Sequence, residues 1–161
     1  MSRFLVLGAG KMGMVLAKDL VNSNHKNKVT LVDISFGQLK EASEFIGNER
    51  LIPVQRDVED KEHRKEIFKD QDVAINALLH RHSLLVLEEA VRRGVHFVDL
   101  VGESPMERLK YDEEATKRGV AAILGLGVSP GITNVCVGRA VFLLDETEKA
   151  LIYVGGESRN S

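Results

Sequence analysis

The stretch FLVLGAGKMG, residues 4–13, decides the fold of this chain. It opens with Phe4–Leu7, a short apolar run that is typical of a buried β-strand. Glycines in the pattern Gly-x-Gly-x-x-Gly follow at once, and apolar residues then recur at helical spacing from Met12 to about Asn22. The beginning of the chain therefore predicts a strand, a glycine-rich turn and a helix in direct succession.

The rest of the chain repeats this alternation of apolar strands and helices. Further strands are predicted at Val29–Val32, Leu51–Val54, Val73–Ala77, Val95–Val98 and Val120–Leu124, with a candidate seventh at Ala150–Val154. Most of these runs are apolar throughout, which predicts a parallel sheet with helices on both faces. We expect an α/β fold of the doubly wound Rossmann type, three layers deep, with strand order 3-2-1-4-5-6. Pro53 predicts that the third strand lies at an edge.

Capping residues support this division of the chain. Ser35 is suited to cap the second helix, and Gly94 to end the helix Ser83–Arg93. The motif Ser104-Pro105-Met106-Glu107 combines a capping box with a proline at the first helical position, which predicts one helix from Pro105 to Arg118. The remaining predicted helices are a short solvated one within Glu59–Asp72 and one from about Gly131 to Leu144.

The composition excludes several classes of protein. The 161 residues suffice for one domain, and 22 basic against 24 acidic side chains give a formal net charge of −2, which argues against a nucleic-acid partner. The uncharged stretch Gly119–Gly138 is interrupted by glycines and Pro130, so no membrane span is predicted. Cys136 is the only cysteine, which excludes an internal disulfide and a cysteine-based zinc site. We expect Cys136 to be buried, the protein to be cytoplasmic, and no metal to be bound.

The three glycines of the opening motif have separate predicted roles. Gly8 permits the tight turn, Gly10 lets a pyrophosphate approach the backbone, and Gly13 allows the helix to pack closely on the sheet. Free N–H groups at the start of that helix would face the phosphates. Asp33 ends the second strand 20 residues after Gly13, which completes the pattern of a dinucleotide site. The predicted cofactor-binding residues are Gly8, Ala9, Gly10, Lys11, Met12, Gly13, Asp33, Ile34, Asp57, Val58, Asn76, Ala77 and Leu78.

Asp33 also bears on which cofactor binds. Its carboxylate can accept hydrogen bonds from both ribose hydroxyls and would repel a 2′-phosphate, so NAD is favoured over NADP. Ile34 follows it instead of an arginine, although Arg56 or Lys40 can supply a positive charge if the fold brings one to the site. Asp57, after the third strand, has two equally supported interpretations, a position beside the adenine ring or a cap for the next helix.

Candidate catalytic residues follow the fourth and fifth strands. His80-Arg81-His82 either face a substrate or form a solvated loop. Asp99 and Glu103 point to the same crevice by topology, while Asp99 can also hold its own loop as a cap. His80 and Asp99 are therefore the catalytic candidates. A separate segment, Gly127–Asn134, predicts a rigid turn before a helix, either purely structural or an anion site at the helix N-terminus.

Together these motifs resemble the saccharopine dehydrogenase family, which includes saccharopine reductases and lysine 6-dehydrogenases. The residues that carry the resemblance are Gly8–Gly13, Asp33, Asp57-Val58, Asn76-Ala77-Leu78, Val98-Asp99, Pro130–Asn134 and Tyr153–Gly156. The likeness covers Arg3–Gly156 and is to the N-terminal nucleotide-binding domain of that family. It implies an NAD(P)-dependent enzyme that oxidises or reduces a carbon–nitrogen bond of an amino acid.

Two features depart from the family pattern. Leu79 stands where the family often has proline. Family members also continue into a second domain that forms much of the substrate pocket and the dimer contact, whereas here a domain at residues 1–156 is followed by a polar tail at residues 157–161 that we expect to be disordered. Either a fragment or a naturally short relative fits this length. We expect the isolated chain to bind cofactor with little turnover, and apolar surface near Val141, Phe142 and Ile152 to favour a homodimer.

A second function is also compatible with the sequence. Regulatory NAD(H)-sensing domains, like those of potassium transport systems, begin with the same strand, glycine turn and helix and need no second domain. The turn at Pro130-Gly131 is an argument against a sensor. A methyltransferase is disfavoured, because the glycine spacing together with Asp33 is typical of dinucleotide binding.

Overall fold

A single six-stranded parallel sheet organises the protein. The computed structural model describes residues 2–102 and 105–155. The strands are β1 (Arg3–Leu7), β2 (Lys28–Asp33), β3 (Leu51–Gln55), β4 (Val73–Asn76), β5 (His96–Asp99) and β6 (Ala122–Ile123). The helices are α1 (Lys11–Ser23), α2 (Phe36–Ile46), α3 (Lys61–Ile67), α4 (Ser83–Arg93), α5 (Pro105–Leu109), α6 (Asp112–Lys117) and α7 (Ile132–Phe142).

The strand order is β3-β2-β1-β4-β5-β6, which confirms the predicted doubly wound topology. The chain first builds outward from β1 to the edge strand β3 and then returns to place β4 on the other side of β1. Leu7 at the end of β1 is in register with Asn76 at the end of β4. The loops after these two strands lead in opposite directions, so a crevice forms at this point of the sheet.

The core lies on both faces of the sheet, because successive residues of a strand point to opposite faces. Leu5 and Leu7 pack into the cluster covered by α3, α4 and α6, whereas Val6 packs into the cluster beneath α1 and α2. All three side chains are fully buried. The predicted helix ends at Ser35 and Gly94 are confirmed: the Ser35 hydroxyl accepts a hydrogen bond from the Gln38 N–H, and Gly94 adopts the left-handed conformation.

Two predicted elements differ on the C-terminal side of the sheet. The predicted buried strand Val120–Leu124 is reduced to the two residues of β6, and Ile123 is 50% exposed, because β6 pairs with β5 on one side only. The predicted single helix from Pro105 to Arg118 is divided into α5 and α6. A bond from the Tyr111 N–H to the carbonyl of Arg108, three residues back, tightens the backbone at the break. Ser104 of the predicted capping box lies outside the described residues.

The last described segment contradicts two predictions. Cys136 is exposed rather than buried, because α7 has no buried residue and no described element covers it. The candidate strand Ala150–Val154 does not form, and this stretch is exposed and outside the sheet. Val141, Phe142 and Ile152 are exposed as predicted. The predicted tail at residues 157–161 lies outside the described residues.

None of the helices in residues 2–102 and 105–155 combines the length and apolar character needed to cross a membrane.

A buried carboxylate fastens the middle of α4. Glu89 is almost completely buried and accepts hydrogen bonds from the guanidinium groups of Arg92 and Arg93, one turn further along the helix. Burial alone would raise the pKa of the Glu89 carboxyl. The hydrogen bonds from Arg93 and Arg92 outweigh that effect, so the pKa lies below its ordinary value.

We expect Glu89→Gln to lower the free energy of unfolding by about 1 kcal/mol near neutral pH, because the charge-assisted bonds are lost. The native pKa is depressed, so the carboxylate stabilises the fold above the ordinary carboxyl pKa of about 4.3 and ceases to do so as the pH falls through the native value. Urea unfolding curves of wild type and variant should therefore converge at low pH. A constant difference at every pH would contradict this role. Glu113→Gln is the control, since Glu113 and its partner Lys117 are both exposed and their ion pair should contribute little to stability.

Candidate functional site

The turn between β1 and α1 is built on two glycines that the fold itself requires. Gly8 has a φ of +100°, and its N–H donates to the carbonyl of Val32 at 2.8 Å. A Cβ added to Gly13 would lie 1.7 Å from the carbonyl oxygen of Gly8. The first turn of α1 therefore packs directly on the end of β1, and any side chain at Gly13 would separate them.

The fold does not require a glycine at position 10, the middle glycine of the motif. Its φ of −68° and ψ of −177° are accessible to any residue, and a Cβ there would meet no atom within 4 Å. Gly10 is the N-cap of α1 but offers no capping side chain, and no acidic residue lies in the first turn. The first N–H groups of α1 therefore receive no side-chain cap from Gly10, and the space beside Gly10 at the positive end of the helix dipole is open. An anion can approach the backbone closely at this point.

Asp33 lies against this turn at the end of β2. Its Oδ2 accepts a hydrogen bond from the Ala9 N–H at 2.8 Å, and its Oδ1 accepts one from the Ser35 N–H at 2.8 Å. These bonds fix the carboxylate beside the glycine turn. Each oxygen keeps a lone pair for a further donor, so the carboxylate can still accept hydrogen bonds from hydroxyl groups.

A cavity of about 180 Å³ opens beside Asp33, at the carboxyl ends of the strands. Its walls come from the ends of β2 and β3 and from the loop after β4. The lining residues are Val32, Asp33, Ile34, Arg56, Asp57, Val58, Glu59, Leu78, Arg81 and His82. The fold thus brings together five of the predicted cofactor residues from three separate loops, namely Asp33, Ile34, Asp57, Val58 and Leu78.

Asp57 lines this cavity and does not cap the next helix, so the capping interpretation is wrong. Its Oδ1 accepts a bond from the Glu59 N–H at 2.8 Å, within the loop. The cap of α3 is Asp60, whose Oδ1 accepts from the N–H groups of Glu62 and His63 at 2.9 Å. The backbone hydrogen bond from His63 is the main cause of the lowered pKa of the Asp60 carboxyl.

The loop after β4 uses its predicted residues differently. Asn76 is fully buried, and its side chain donates to the Ser83 hydroxyl and to Asp99 Oδ1, each at 3.1 Å, while its Oδ1 accepts from the Leu78 N–H. Asn76 therefore shapes the loop from within. The carbonyl of Ala77 lies against Gly8, and only Leu78 lines the cavity.

Asp99 holds its loop, as the second interpretation of this residue proposed. Its fully buried carboxylate accepts from the Val101 N–H at 2.9 Å and lies 3.3 Å from the guanidinium of Arg108. Arg108, which sequence reasoning did not single out, is itself buried and donates to the carbonyl of Val101. The sequence around Asp99 gave no signal for this pair, because Asp99 and Arg108 lie nine residues apart and are brought together only by the fold. Glu103 lies outside the described residues.

The polar residues after Leu79 are more than a solvated loop. His82 is buried, with only 9% of its surface exposed, and its Nδ1 lies 3.4 Å from a carboxylate oxygen of Glu59. The Arg81 Nε donates to the other ring nitrogen of His82 at 3.1 Å. Both residues line the cavity, whereas the catalytic candidate His80 is exposed and is not among the lining residues.

The segment Gly127–Asn134 is a packed structural turn. A Cβ on Gly131, whose φ is +133°, would lie 2.0 Å from the carbonyl oxygen of Gly127. The Gly131 N–H is bonded to the side chain of Asn134 at 3.0 Å, and the Ile132 N–H is bonded to Gly127. These contacts explain Gly127, Gly131 and Asn134 through the fold, which favours the structural interpretation over an anion site.

The family of the chain follows from comparison with known proteins. Residues 4–123 match the family described as the saccharopine dehydrogenase NADP-binding domain. The chain belongs to this family. The resemblance predicted from the sequence motifs is thereby confirmed. Among curated proteins, this saccharopine dehydrogenase-type domain is 22% identical over 151 residues to the carboxyaminopropylagmatine dehydrogenase of Synechocystis sp., covering 88% of the chain and 38% of that protein.

Solved structures show the same fold. Apo saccharopine dehydrogenase (L-Glu forming) from Saccharomyces cerevisiae superposes with a TM-score of 0.76 at 21% identity, over 89% of this chain and 31% of that one. Scyllo-inositol dehydrogenase from Lactobacillus casei, solved with bound NAD(H) and scyllo-inositol, superposes with a TM-score of 0.64 at 15% identity, over 89% of this chain and 41% of that one. The chain spans about a third of the length of the first relatives it matches. The family description supports a nicotinamide dinucleotide as the cofactor.

Gly13→Ala should destabilise the fold by roughly 3 kcal/mol, because the added methyl group would force α1 away from β1. Thermal or urea unfolding measures the loss. Gly10→Ala is the matched control, since its methyl group meets no atom within 4 Å, and its stability should stay near that of the wild type. Equal stability of the Gly13→Ala and Gly10→Ala variants would contradict the close contact.

Proposed function

We propose that this chain is the cofactor domain of an NAD-dependent oxidoreductase that acts at a carbon–nitrogen bond of an amino-acid-like substrate. The bound cofactor supplies the hydride chemistry, and the residues of this chain bind and orient it. Family membership supports the oxidoreductase class, and the names of the relatives support a substrate of this kind.

The open space at Gly10 carries the proposal. Gly8 and Gly13 are explained by the backbone contacts of the fold, but Gly10 is not. A residue without a side chain at that point is useful to a ligand that approaches the backbone. A pyrophosphate fits the requirement, because the adjacent helix N-terminus offers N–H donors and a positive dipole.

The residues around the cavity suit the adenosine half of the cofactor. Asp33 would accept hydrogen bonds from the ribose hydroxyls, through the lone pairs that its two backbone donors leave free. Val58 and Leu78 would provide apolar contact for the base, and Asp57 would lie at its polar edge. Of the remaining predicted cofactor residues, Asn76 would act only by shaping the loop.

Charge favours NAD over NADP. A 2′-phosphate would meet the fixed carboxylate of Asp33, with Ile34 beside it rather than an arginine. Lys40, a second potential source of positive charge, lines a different cavity, between α2 and β3. Arg56 lines the cavity, but its guanidinium is paired with Glu66.

Gly10→Ala should weaken NADH binding at least about tenfold, or ~1.4 kcal/mol, because the methyl group would fill the space proposed for the pyrophosphate. Isothermal titration calorimetry measures the affinity, and unfolding measurements show that the fold is kept. The matched control is Gly138→Ala on α7, whose methyl group also meets no atom within 4 Å. Unchanged affinity in Gly10→Ala would remove the main support for the proposal.

The wild-type chain should bind NADH at least about tenfold more tightly than NADPH, because Asp33 repels the added phosphate. Asp33→Asn removes that charge while keeping one side-chain oxygen that can accept from a backbone N–H, and should narrow the difference in affinity between the two dinucleotides. Parallel fluorescence titrations measure both affinities. Equal binding of NADH and NADPH by the wild type would contradict the preference for NAD.

A further inference from the structure

We propose that Glu66 is the residue that keeps the site selective for NAD, by holding the guanidinium of Arg56 away from the position of a 2′-phosphate. This inference rests on the proposed cofactor function. Neither the family nor the glycine motif assigns a role to Glu66, which does not line the cavity itself.

The backbone places Arg56 next to Asp33. Asp33 and Gln55 are partners in the register of β2 and β3, and the N–H of Arg56 donates to the carbonyl of Asp33 at 3.1 Å. Arg56 also lines the cavity that contains the Asp33 carboxylate. A cation at this position is suited to a phosphate on the ribose, since a guanidinium binds phosphate oxygens through two parallel N–H bonds.

The guanidinium of Arg56 is engaged elsewhere through all three of its nitrogens. Nε donates to one oxygen of Glu66 at 2.9 Å and Nη2 to the other at 3.1 Å, in a bidentate pair. Nη1 donates to the carbonyl of Gln55 at 3.0 Å. The hydrogen bond with Arg56 also holds the pKa of the Glu66 carboxyl below its ordinary value, so Glu66 is ionised at neutral pH.

Glu66 is held within reach of Arg56 by the packing of α3. Its neighbours in sequence, Ile67 and Phe68, are buried in the core cluster beneath this helix. The other end of α3 is fixed by the cap at Asp60. Glu66 thus projects from a well-anchored helix end, while its side chain remains 60% exposed. The Arg56–Glu66 ion pair is therefore exposed to solvent, and its modest strength limits how much the affinity for NADPH can change when the pair is removed.

A second arginine, Arg81, also lines the cavity and must be distinguished from Arg56. It donates to His82 and lies 4.0 Å from Glu59, so its contacts do not involve Glu66. Removing the Glu66 carboxylate leaves Arg56 only its bond to the Gln55 carbonyl, and leaves the contacts of Arg81 intact. The proposal therefore makes a prediction for Arg56 alone.

Glu66→Gln should raise the affinity for NADPH about fivefold, or ~1 kcal/mol, the upper range for an exposed ion pair, with NADH affinity unchanged. Glu62→Gln is the matched control. It makes the same change of charge on the same helix, but Glu62 pairs with Lys65 at 2.6 Å rather than with Arg56. The double variant Glu66→Gln/Arg56→Ala should lose the gain for NADPH. Parallel titrations with both dinucleotides measure these affinities, and unfolding curves verify that each variant folds.

The outcomes separate this inference from the proposed function. If the wild type binds NADH and Glu66→Gln gains nothing for NADPH, the role of Glu66 is wrong and the cofactor domain stands. An equal gain in Glu62→Gln would show a general effect of charge and would also overturn the role. A gain that survives the loss of Arg56 would point to Arg81 instead. If the wild type binds neither dinucleotide, the proposed function itself fails.

Discussion

The contact between Gly13 of α1 and the carbonyl of Gly8 is the constraint on which the rest of the site depends. It leaves no space for even one methyl group, so the first turn of α1 begins directly at the end of β1. The N–H groups of that turn, the bare backbone at Gly10 and the carboxylate of Asp33 consequently lie beside one another. Moving α1 outward by the width of a side chain would separate these three features.

A second set of interactions shapes the opposite wall of the crevice. Asn76 joins the ends of β4 and β5 by bonding to Asp99, and Asp99 in turn pairs with the buried Arg108. Buried polar groups of this kind are costly unless each finds a partner. Asp99 Oδ1 finds its partners in Asn76 and the Val101 N–H, and the ion pair with Arg108 offsets the carboxylate charge. These contacts fix the loops after β4 and β5, and so set the position of Leu78 at the edge of the cavity. Asp99, a catalytic candidate by its position, thus holds these loops in place.

The cavity has one charged side chain held by the backbone and one held by an exposed ion pair. Asp33 is tied by two backbone donors, whereas Arg56 is held by an exposed pair with Glu66. A ligand that enters this region meets a negative group that stays in place and a positive group whose orientation depends on a neighbouring helix. In the proposed function, selectivity for NAD needs the Asp33 carboxylate to accept the ribose hydroxyls, and it needs Arg56 to be held away from a 2′-phosphate. Attraction of that phosphate by Arg56 would reduce the selectivity as much as the loss of the Asp33 acceptor.

The sequence by itself determined the edge position of β3, the caps at Ser35 and Gly94 and the glycine turn, because these depend on proline and on backbone freedom. It also determined the family. The strand order followed only indirectly, from the alternation of strands and helices together with the general topology of doubly wound sheets. Only the tertiary structure decided that Asp57 lines a cavity while Asp60 caps α3, that Asp99 pairs with Arg108, and that Arg56 is engaged by Glu66. It also decided that β6 is short and Cys136 exposed. Each of these depends on which elements lie next to one another and which stay uncovered, and an apolar pattern along one segment carries no information about its neighbours in space.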